Sequence, residues 1–416
     1  MRPGQSVAAS EAARRGGIPM RRALAAALLV VLGSTAAWAS EPSVRHVYRT
    51  APALIGLPTV AFDERYQNAA DVVLEQAIRN LPLFPGAASA FTYRWNADHS
   101  KLEIVDDAVS PWFVTERART LGEGLLNVGL TFGYYRVNSW HGRDLGVDPV
   151  PLSVHGAPIN YQAATDLIYS VSTFNITYGV TDDLDVNVAL PIVTLDMDLD
   201  VSGRLKECCV ARSATRQPNA ANLSDMLVRA KYRLFTSDWA LGTAIGAAGL
   251  QVRIPTGNPT QGLGTGYGEI GPYFVLSTSA LDGWLDSYWD VGVNAGIGNT
   301  RWSSGDYRWA LDIHAPRGED WWTRLALAWE VLGRSEFTNL RQPSSISGPH
   351  ETSAGTVQLP FLGIDASRHD YVDTTLGVRI RVLDQMVLSL GVFKALNDQG
   401  VRPSGWSPVM SVEGTF

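Results

Sequence analysis

Three observations predict the fold class: apolar and polar residues alternate from residue 124 to the carboxyl end, the links between alternating stretches sort into short and long, and an export signal sits near the amino end. Together they predict an all-β chain, an antiparallel up-and-down barrel of twelve strands that crosses a membrane, preceded by a short mixed segment that either plugs the barrel or caps it on the periplasmic side.

Composition sets the frame. The 416 residues are 45% apolar and 18% charged, and the mean hydropathy is close to zero, too polar for a helical membrane protein. A spanning helix needs ~20 consecutive apolar residues. The longest run, Ala23–Leu32, falls well short of that. It has instead the layout of a secretory signal, with Arg21-Arg22 before it and the small-x-small site Ala37-Trp38-Ala39 after it, so cleavage is expected after Ala39. Residues 1–19 fit poorly upstream of such a signal, and Met20 is the expected true start.

Residues 1–39 carry five Arg and one Glu, so their removal leaves 29 basic against 40 acidic residues, a net charge of −11. That balance argues against a nucleic-acid partner. The two cysteines, Cys208 and Cys209, are adjacent and lie in a link, where they form either a vicinal disulfide or two free thiols. No metal-ligand spacing accompanies them, and neither a metal nor a cofactor is expected.

Three regions follow: the signal (1–39), a mixed segment (40–123) and the barrel (124–416). In the mixed segment Tyr66, Ala70, Val73, Ala77 and Leu81 recur at helical spacing, Asp63 can cap them and Pro82 stops them. A hairpin is expected from Ala90–Trp95 and Lys101–Val105; if it joined the barrel, the strand number would be fourteen. Some 84 residues are too few for a passenger enzyme with a large core.

The barrel strands are expected at 124–139, 162–178, 184–200, 223–235, 240–254, 266–279, 284–301, 307–316, 321–334, 369–382, 386–396 and 405–416. In the fourth, Met226, Val228, Ala230, Tyr232 and Leu234 share one face and Arg229, Lys231 and Arg233 the other. The same division sets Gln251 and Arg253 against Leu250 and Val252, Glu269 and Tyr273 against Ile270 and Phe274, and Asp290 and Asn294 against Trp289, Val291 and Val293. It continues with Arg308, Asp312 and His314 against Trp309 and Leu311, Arg324 and Glu330 against Leu327 and Trp329, and Asp373, Arg379 and Arg381 against Leu376 and Val378. A soluble barrel hides the apolar face; a membrane barrel turns it to lipid and leaves the charged face to the lumen. The aromatic content, the signal and the sorted links favour the second. Short turns are expected at 179–183, 236–239, 280–283, 317–320 and 383–385, and longer links at 140–160, 202–220, 255–265, 336–367 and 397–404.

Two strands read irregularly. The stretch 162–178 is apolar on both faces. The stretch 184–200 changes parity near Pro191, for which a bulge is the expected reason. The last strand alternates through Trp406, Pro408, Met410 and Val412 to a terminal Phe416, a pattern similar to the carboxyl-terminal signal read by barrel-assembly machinery.

Several ordered segments resemble the bacterial outer-membrane family labelled "putative meta-pathway of phenol degradation". They are Phe91-Thr-Tyr-Arg-Trp95, Glu116-Arg-Ala-Arg-Thr-Leu-Gly-Glu-Gly124, Tyr178-Gly-Val-Thr-Asp-Asp-Leu-Asp-Val186 with Leu190-Pro-Ile-Val193, Ala230-Lys-Tyr-Arg-Leu234, Arg253-Ile-Pro-Thr-Gly257, and Gly264-Thr-Gly-Tyr-Gly268 with Gly271-Pro-Tyr273. The likeness spans roughly residues 88–300. It implies a transporter-like outer-membrane barrel for small, often aromatic or hydrophobic, compounds.

Passive uptake of a small-molecule solute is therefore the leading expectation, with the lipid bilayer and the assembly machinery as the other partners. Arg229, Lys231, Arg233 and Arg253 lie on neighbouring strands, where they either attract an anion such as a carboxylate or pair with Glu269, Asp290 and other acids in a salt-bridge lattice. An outer-membrane lipid hydrolase is the alternative, with His314 beside Asp312, although no G-x-S-x-G elbow is present. A structural or adhesion barrel presenting the link 336–367 is the third reading.

Overall fold

The computed structural model of the chain describes residues 43–55, 73–82, 92–96, 101–106, 114–140, 142–145, 150–154, 157–205, 211–240, 242–281, 284–298, 303–314, 325–337, 344–345, 349–352, 355–358, 363–364, 368–383 and 386–415. The signal, Asp63, Tyr66, Ala70, Cys208, Cys209, Arg324 and Phe416 lie outside them.

Twelve strands form one closed antiparallel barrel: β1 (Leu126–Trp140), β2 (Ala157–Thr181), β3 (Leu184–Leu205), β4 (Met226–Trp239), β5 (Gly242–Ile254), β6 (Gly268–Ala280), β7 (Leu285–Ile297), β8 (Ser304–His314), β9 (Leu325–Glu336), β10 (Asp370–Leu383), β11 (Met386–Ala395) and β12 (Ser407–Thr415). Each strand pairs with the next, and β12 returns to pair with β1, with Val409 opposite Gly133 and Thr415 opposite Asn127. Closure gives the backbone groups partners without a free edge, the condition for crossing lipid with strands. The hairpin is present as Thr92–Asn96 against Lys101–Asp106, but it forms its own two-stranded sheet. The fourteen-strand alternative therefore falls. Strands this short could not span a bilayer, which needs about 9–11 residues.

The links sort by side. On one side β2 passes to β3 (Thr181 to Leu184), β4 to β5 (Trp239 to Gly242), β6 to β7 (Ala280 to Leu285) and β10 to β11 (Leu383 to Met386) in a few residues, while β8 passes to β9 by a longer link (His314 to Leu325), and the turn expected at 317–320 lies outside the described residues. The start of β1 and the end of β12 lie on this side too. On the other side the links are long, apart from Ile297 to Ser304. The expected turn at 236–239 is strand instead. A register shift between Arg233 and Phe235 lets β4 run on to Trp239, and the Phe235 ring covers the bare backbone of Gly246.

Burial alternates along most of the barrel strands, β5 being the clear exception, and the apolar side is the outer one. On β1 the exposed residues are Val128, Leu130, Phe132 and Tyr134, while Asn127, Thr131 and Tyr135 are buried inside. On β9 Leu327 is 57% exposed and Glu330 0%. On β3 the outward residues are apolar from Leu184 to Ile192 and then become Thr194, Asp196, Asp198 and Asp200. Those eight steps cover about 26 Å of strand, or roughly 20 Å of height at a tilt near 40°, close to the apolar band of a membrane barrel. Trp289, Trp309 and Trp329 lie side by side on the outer wall, the first pair tilted and the second edge-to-face, with ring centroids 6.0 and 5.3 Å apart. The exposed Trp239 and Trp284 lie lower, at the short-turn rim itself, where interfacial aromatic residues are found.

The expected bulge at Pro191 is absent. Register across β2 and β3 is unbroken there, Phe174 facing Leu190, Thr173 facing Pro191 and Val171 facing Val193. The apolar residues change face because their surroundings change, from lipid outside below Pro191 to a packed interior above it. Pro191 itself sits where the other neighbour of β3 changes. Below it β3 pairs with β4 up to Ala189 and Leu227; above it β3 pairs with Asn219–Leu223. The missing N–H of proline therefore falls at a gap in the ladder.

Candidate functional site: a charged lumen occupied by the amino-terminal segment

The packed interior is made by the chain's own amino-terminal region. In the helix of residues 73–80, Val73, Leu74, Ala77 and Ile78, with Leu81 after them, are buried on one face. They join Tyr135 and Val137 of β1, Leu167, Tyr169 and Val171 of β2, and Val193, Leu195 and Met197 of β3 in a single apolar cluster. A short helix α1 (Val44–Arg49), not foreseen from the sequence, adds Val44 and Val47 to it. Burying such a side chain contributes about 1.5–3 kcal/mol. This is why β2 is apolar on both faces: one meets lipid, the other meets the helix.

The polar face of the same helix is fixed by charge. Arg79 lies 3.3 Å from Glu269 of β6 and 3.6 Å from Glu336 of β9. Burial opposes its charge, but these carboxylates and Tyr267 outweigh burial and raise its pKa. Glu336 also contacts His369 Nδ1 at 3.2 Å. Asn80 donates to the Val401 carbonyl at 2.7 Å, and Arg334 of β9 donates to the Arg79 carbonyl at 3.0 Å.

The long link after β5 folds back over this end. Asp225 accepts from the backbone N–H groups of Gly257 (3.1 Å) and Thr265 (2.8 Å) and from the Thr265 hydroxyl (2.6 Å). The approach is tight enough that a Cβ on Gly264 would meet Asp225 Oδ1 and the Gly257 backbone at 2.7 Å. Gln261 at the tip accepts from the backbone N–H of Val44 at 3.1 Å.

Residues 114–121 form a strap through the short-turn half of the lumen. Val114 and Thr115 donate their N–H groups to Glu330 of β9 at 3.2 and 2.9 Å. Ala118 donates to the Ser277 hydroxyl of β6 at 2.8 Å. Leu121 donates to both carboxylate oxygens of Asp185 on β3 at 3.0 and 3.1 Å. Glu116 reaches Arg229 at 2.6 Å and Lys231 at 3.1 Å on β4. Lys231 also donates to the carbonyls of Arg117 and Arg119. The anchors come from strands on different sides of the barrel, so the strap is tied across it.

Between helix, strap and the wall formed by β5–β10 lies a cavity enclosing about 910 Å³ of atom-free space, part of it open to solvent. Its lining includes Arg79, Arg253, Arg308, Arg334 and Arg402 against Glu269, Asp306 and Asp373. Arg334 and Arg402 lie over the Tyr371 ring at 4.5 and 5.0 Å.

The residues singled out from the sequence divide accordingly. Arg253 and Asp373 line the cavity, paired with Glu269 (3.5 Å) and Arg402 respectively. Glu269 and Asp290 are buried in ion pairs, the latter 2.9 Å from Arg308. Arg229 and Lys231 lie under the strap. Arg233 is at the short-turn rim, held by Asp183 with a 2.8 Å bond from Nε. Asp312, Glu330 and Arg379 are buried inside, Arg379 donating to the Ser389 hydroxyl at 3.2 Å. His314 contacts Asp286 at 3.0 Å rather than Asp312, and no serine bonds it among the described residues. Arg324 is not described, and neither is the side chain of Arg381.

Sequence reasoning missed Glu116, Arg79 and Asp185, and placed Arg308 on the lumen face without its partner Asp290. Glu116 and Asp185 stand within the segments quoted for the family resemblance, and that was the available signal. Those segments converge in space: Glu116 on Lys231 and Leu121 on Asp185, while Arg229, just before the Ala230–Leu234 segment, lies over the Tyr273 ring at 4.3 Å.

No protein-family model matches the chain, and no curated protein matches it. Among solved structures it is similar to an outer-membrane channel from Pseudomonas putida F1, with 10% identity, a TM-score of 0.46, and 72% of this chain and 98% of that one covered. It is also similar to the CymD monoaromatic hydrocarbon channel (9% identity, TM-score 0.28, 71% and 88% covered). The translocator domain of the autotransporter NalP from Neisseria meningitidis matches at 11% identity and a TM-score of 0.28, with 71% and 89% covered. Likeness at this level runs across barrels of different purpose and singles out no cargo.

Proposed function

We propose that the chain is an outer-membrane channel for passive uptake of small compounds, aromatic or hydrophobic ones among them, and that it belongs to the phenol meta-pathway family it resembles. The observation that carries the uptake reading is the arginine-rich cavity inside a barrel whose outer wall is apolar. A low-dielectric wall concentrates the field of its charges, so the cavity favours solutes with negative charge or an electron-rich ring. In this reading residues 1–39 bring the chain to the periplasm, with cleavage after Ala39. Phe416 serves the barrel-assembly machinery, the short turns face the periplasm, and residues 40–123 are the plug. The test is flux into liposomes holding the refolded full chain, with benzoate, benzyl alcohol and glucose as solutes. Uptake of benzoate and benzyl alcohol above protein-free liposomes is expected. No flux of any of the three, in protein shown folded by heat-modifiable mobility on gels, overturns the proposal.

A further inference from the structure

The lumen holds a second polar site, separate from the large cavity and filled by the protein itself. On β4 the Arg229 guanidinium and the Lys231 ammonium converge on one carboxylate, that of Glu116, at 2.6 and 3.1 Å. All three side chains are at least nine-tenths buried. Tyr273 backs the guanidinium at 4.3 Å. Arg229 Nε and Nη2 carry no hydrogen bond among the described residues. Thr177, Asp185 and Asn187 close in around these groups and leave little free space, so a second carboxylate fits only where Glu116 has left. Two cations and an aromatic face around one carboxylate make a carboxylate receptor, because a guanidinium and an ammonium both bind that group by charge-assisted hydrogen bonds.

The tenant of the receptor is part of the obstruction. Glu116 belongs to the strap that crosses the lumen on the short-turn side, below the cavity.

We propose that Arg229, Lys231 and Tyr273 form a binding site for a small carboxylate solute, that Glu116 occupies it in the resting protein, and that exchange of Glu116 for the solute's carboxylate frees the strap. This rests on the uptake reading for its purpose, not for its chemistry. Exchange conserves charge at the site, so Arg229 is not left buried without its carboxylate, whereas simple withdrawal of Glu116 would leave it so and leave Lys231 with only the Asp185 carboxylate, 3.8 Å away. A neutral solute of the same shape cannot make the exchange.

The test places a reporter on the strap. In full-length protein with Cys208→Ser and Cys209→Ser, Ala118→Cys puts a thiol beside Glu116, and its modification rate by a small thiol reagent is followed in liposomes. Benzoate should raise that rate about tenfold or more, the equivalent of about 1.4 kcal/mol, and benzyl alcohol should not. With Glu116→Gln added, the rate should start high and ignore benzoate. An unchanged rate with benzoate, an equal response to benzyl alcohol, or a persisting benzoate response in the Glu116→Gln protein would each overturn the proposal. The benzoate arm needs only the parent charges, so it stands even if Glu116→Gln fails to fold. Flux in the same liposomes separates the two readings: flux without strap response sinks the exchange alone, and strap response without flux sinks uptake alone.

Discussion

Val291→Arg separates a lipid-facing exterior from a solvent-facing one. Val291 is 49% exposed, sits midway along β7 and pairs with Phe274 and Tyr307, both of which also point outward. Were the exterior bathed in water, an arginine at such a half-exposed site would change stability by about 0.5 kcal/mol or less. In a bilayer the same substitution near the midplane costs about 2–4 kcal/mol. At a tilt near 40° the site is roughly 15 Å below either rim of the strand, too deep for the guanidinium to reach headgroups without strain. Ile297→Arg is the internal control. It is 54% exposed but ends the same strand, where the depth-dependent cost falls to about 0–1 kcal/mol. The assay is urea unfolding of both variants and the parent in phosphatidylcholine vesicles, followed by tryptophan fluorescence. Equal, small effects at both positions would refute the inverted barrel.

Two further outcomes follow from the interior. Asp225→Ala removes three hydrogen bonds to the 257–265 turn, at a cost of about 2–4 kcal/mol for charge-assisted bonds to one carboxylate; limited proteolysis should then cut within 255–267, and an unchanged digestion pattern would contradict the clasp. Burial opposes ionisation of Glu116, but Arg229 and Lys231, with Arg308 further off, outweigh it and hold the carboxyl below its ordinary value. A depressed carboxyl stabilises the docked strap fully above its undocked pKa of about 4.3 and loses that contribution as pH falls through the lower docked value. Relative to the same thiol in the Glu116→Gln protein, which cancels the fall in thiolate fraction with pH, modification of the strap thiol should therefore stay slow from neutral pH down to about 5 and accelerate only below about 4. A rise between pH 6 and 7 would mean that a histidine, not Glu116, is the latch.

How far the sequence reveals this molecule depends on whether each feature is local. The face of Leu327 against Glu330, or of Trp289 against Asp290, is a matter of neighbours along one strand, and period-two alternation reads it directly. The choice between lipid and lumen for the apolar face is not local. It came from the sorted links, and where both faces of β2 are apolar the alternation failed, because Leu167 and Tyr169 meet a helix close to a hundred residues away in sequence. The parity change at Pro191 invited a backbone explanation, yet the backbone is regular and the environment changes. The lattice was legible only by halves: Arg229 and Lys231 stood out as cations on a strand, but nothing in their neighbourhood points to Glu116, whose reach across the lumen exists only once the barrel has closed. Asp225 gave no signal at all, since its partners are mostly backbone N–H groups of Gly257 and Thr265.

The most direct test of the barrel as a channel is the reversal potential of the full-length protein in a planar bilayer under a tenfold KCl gradient. Arg79, Arg253, Arg308, Arg334 and Arg402 outnumber Glu269, Asp306 and Asp373 in the cavity lining itself, while Glu336 and Asp290, which pair with Arg79 and Arg308, lie outside that lining, so a chloride-selective potential is predicted. Folded protein that inserts and passes no current, or that selects potassium, would contradict it.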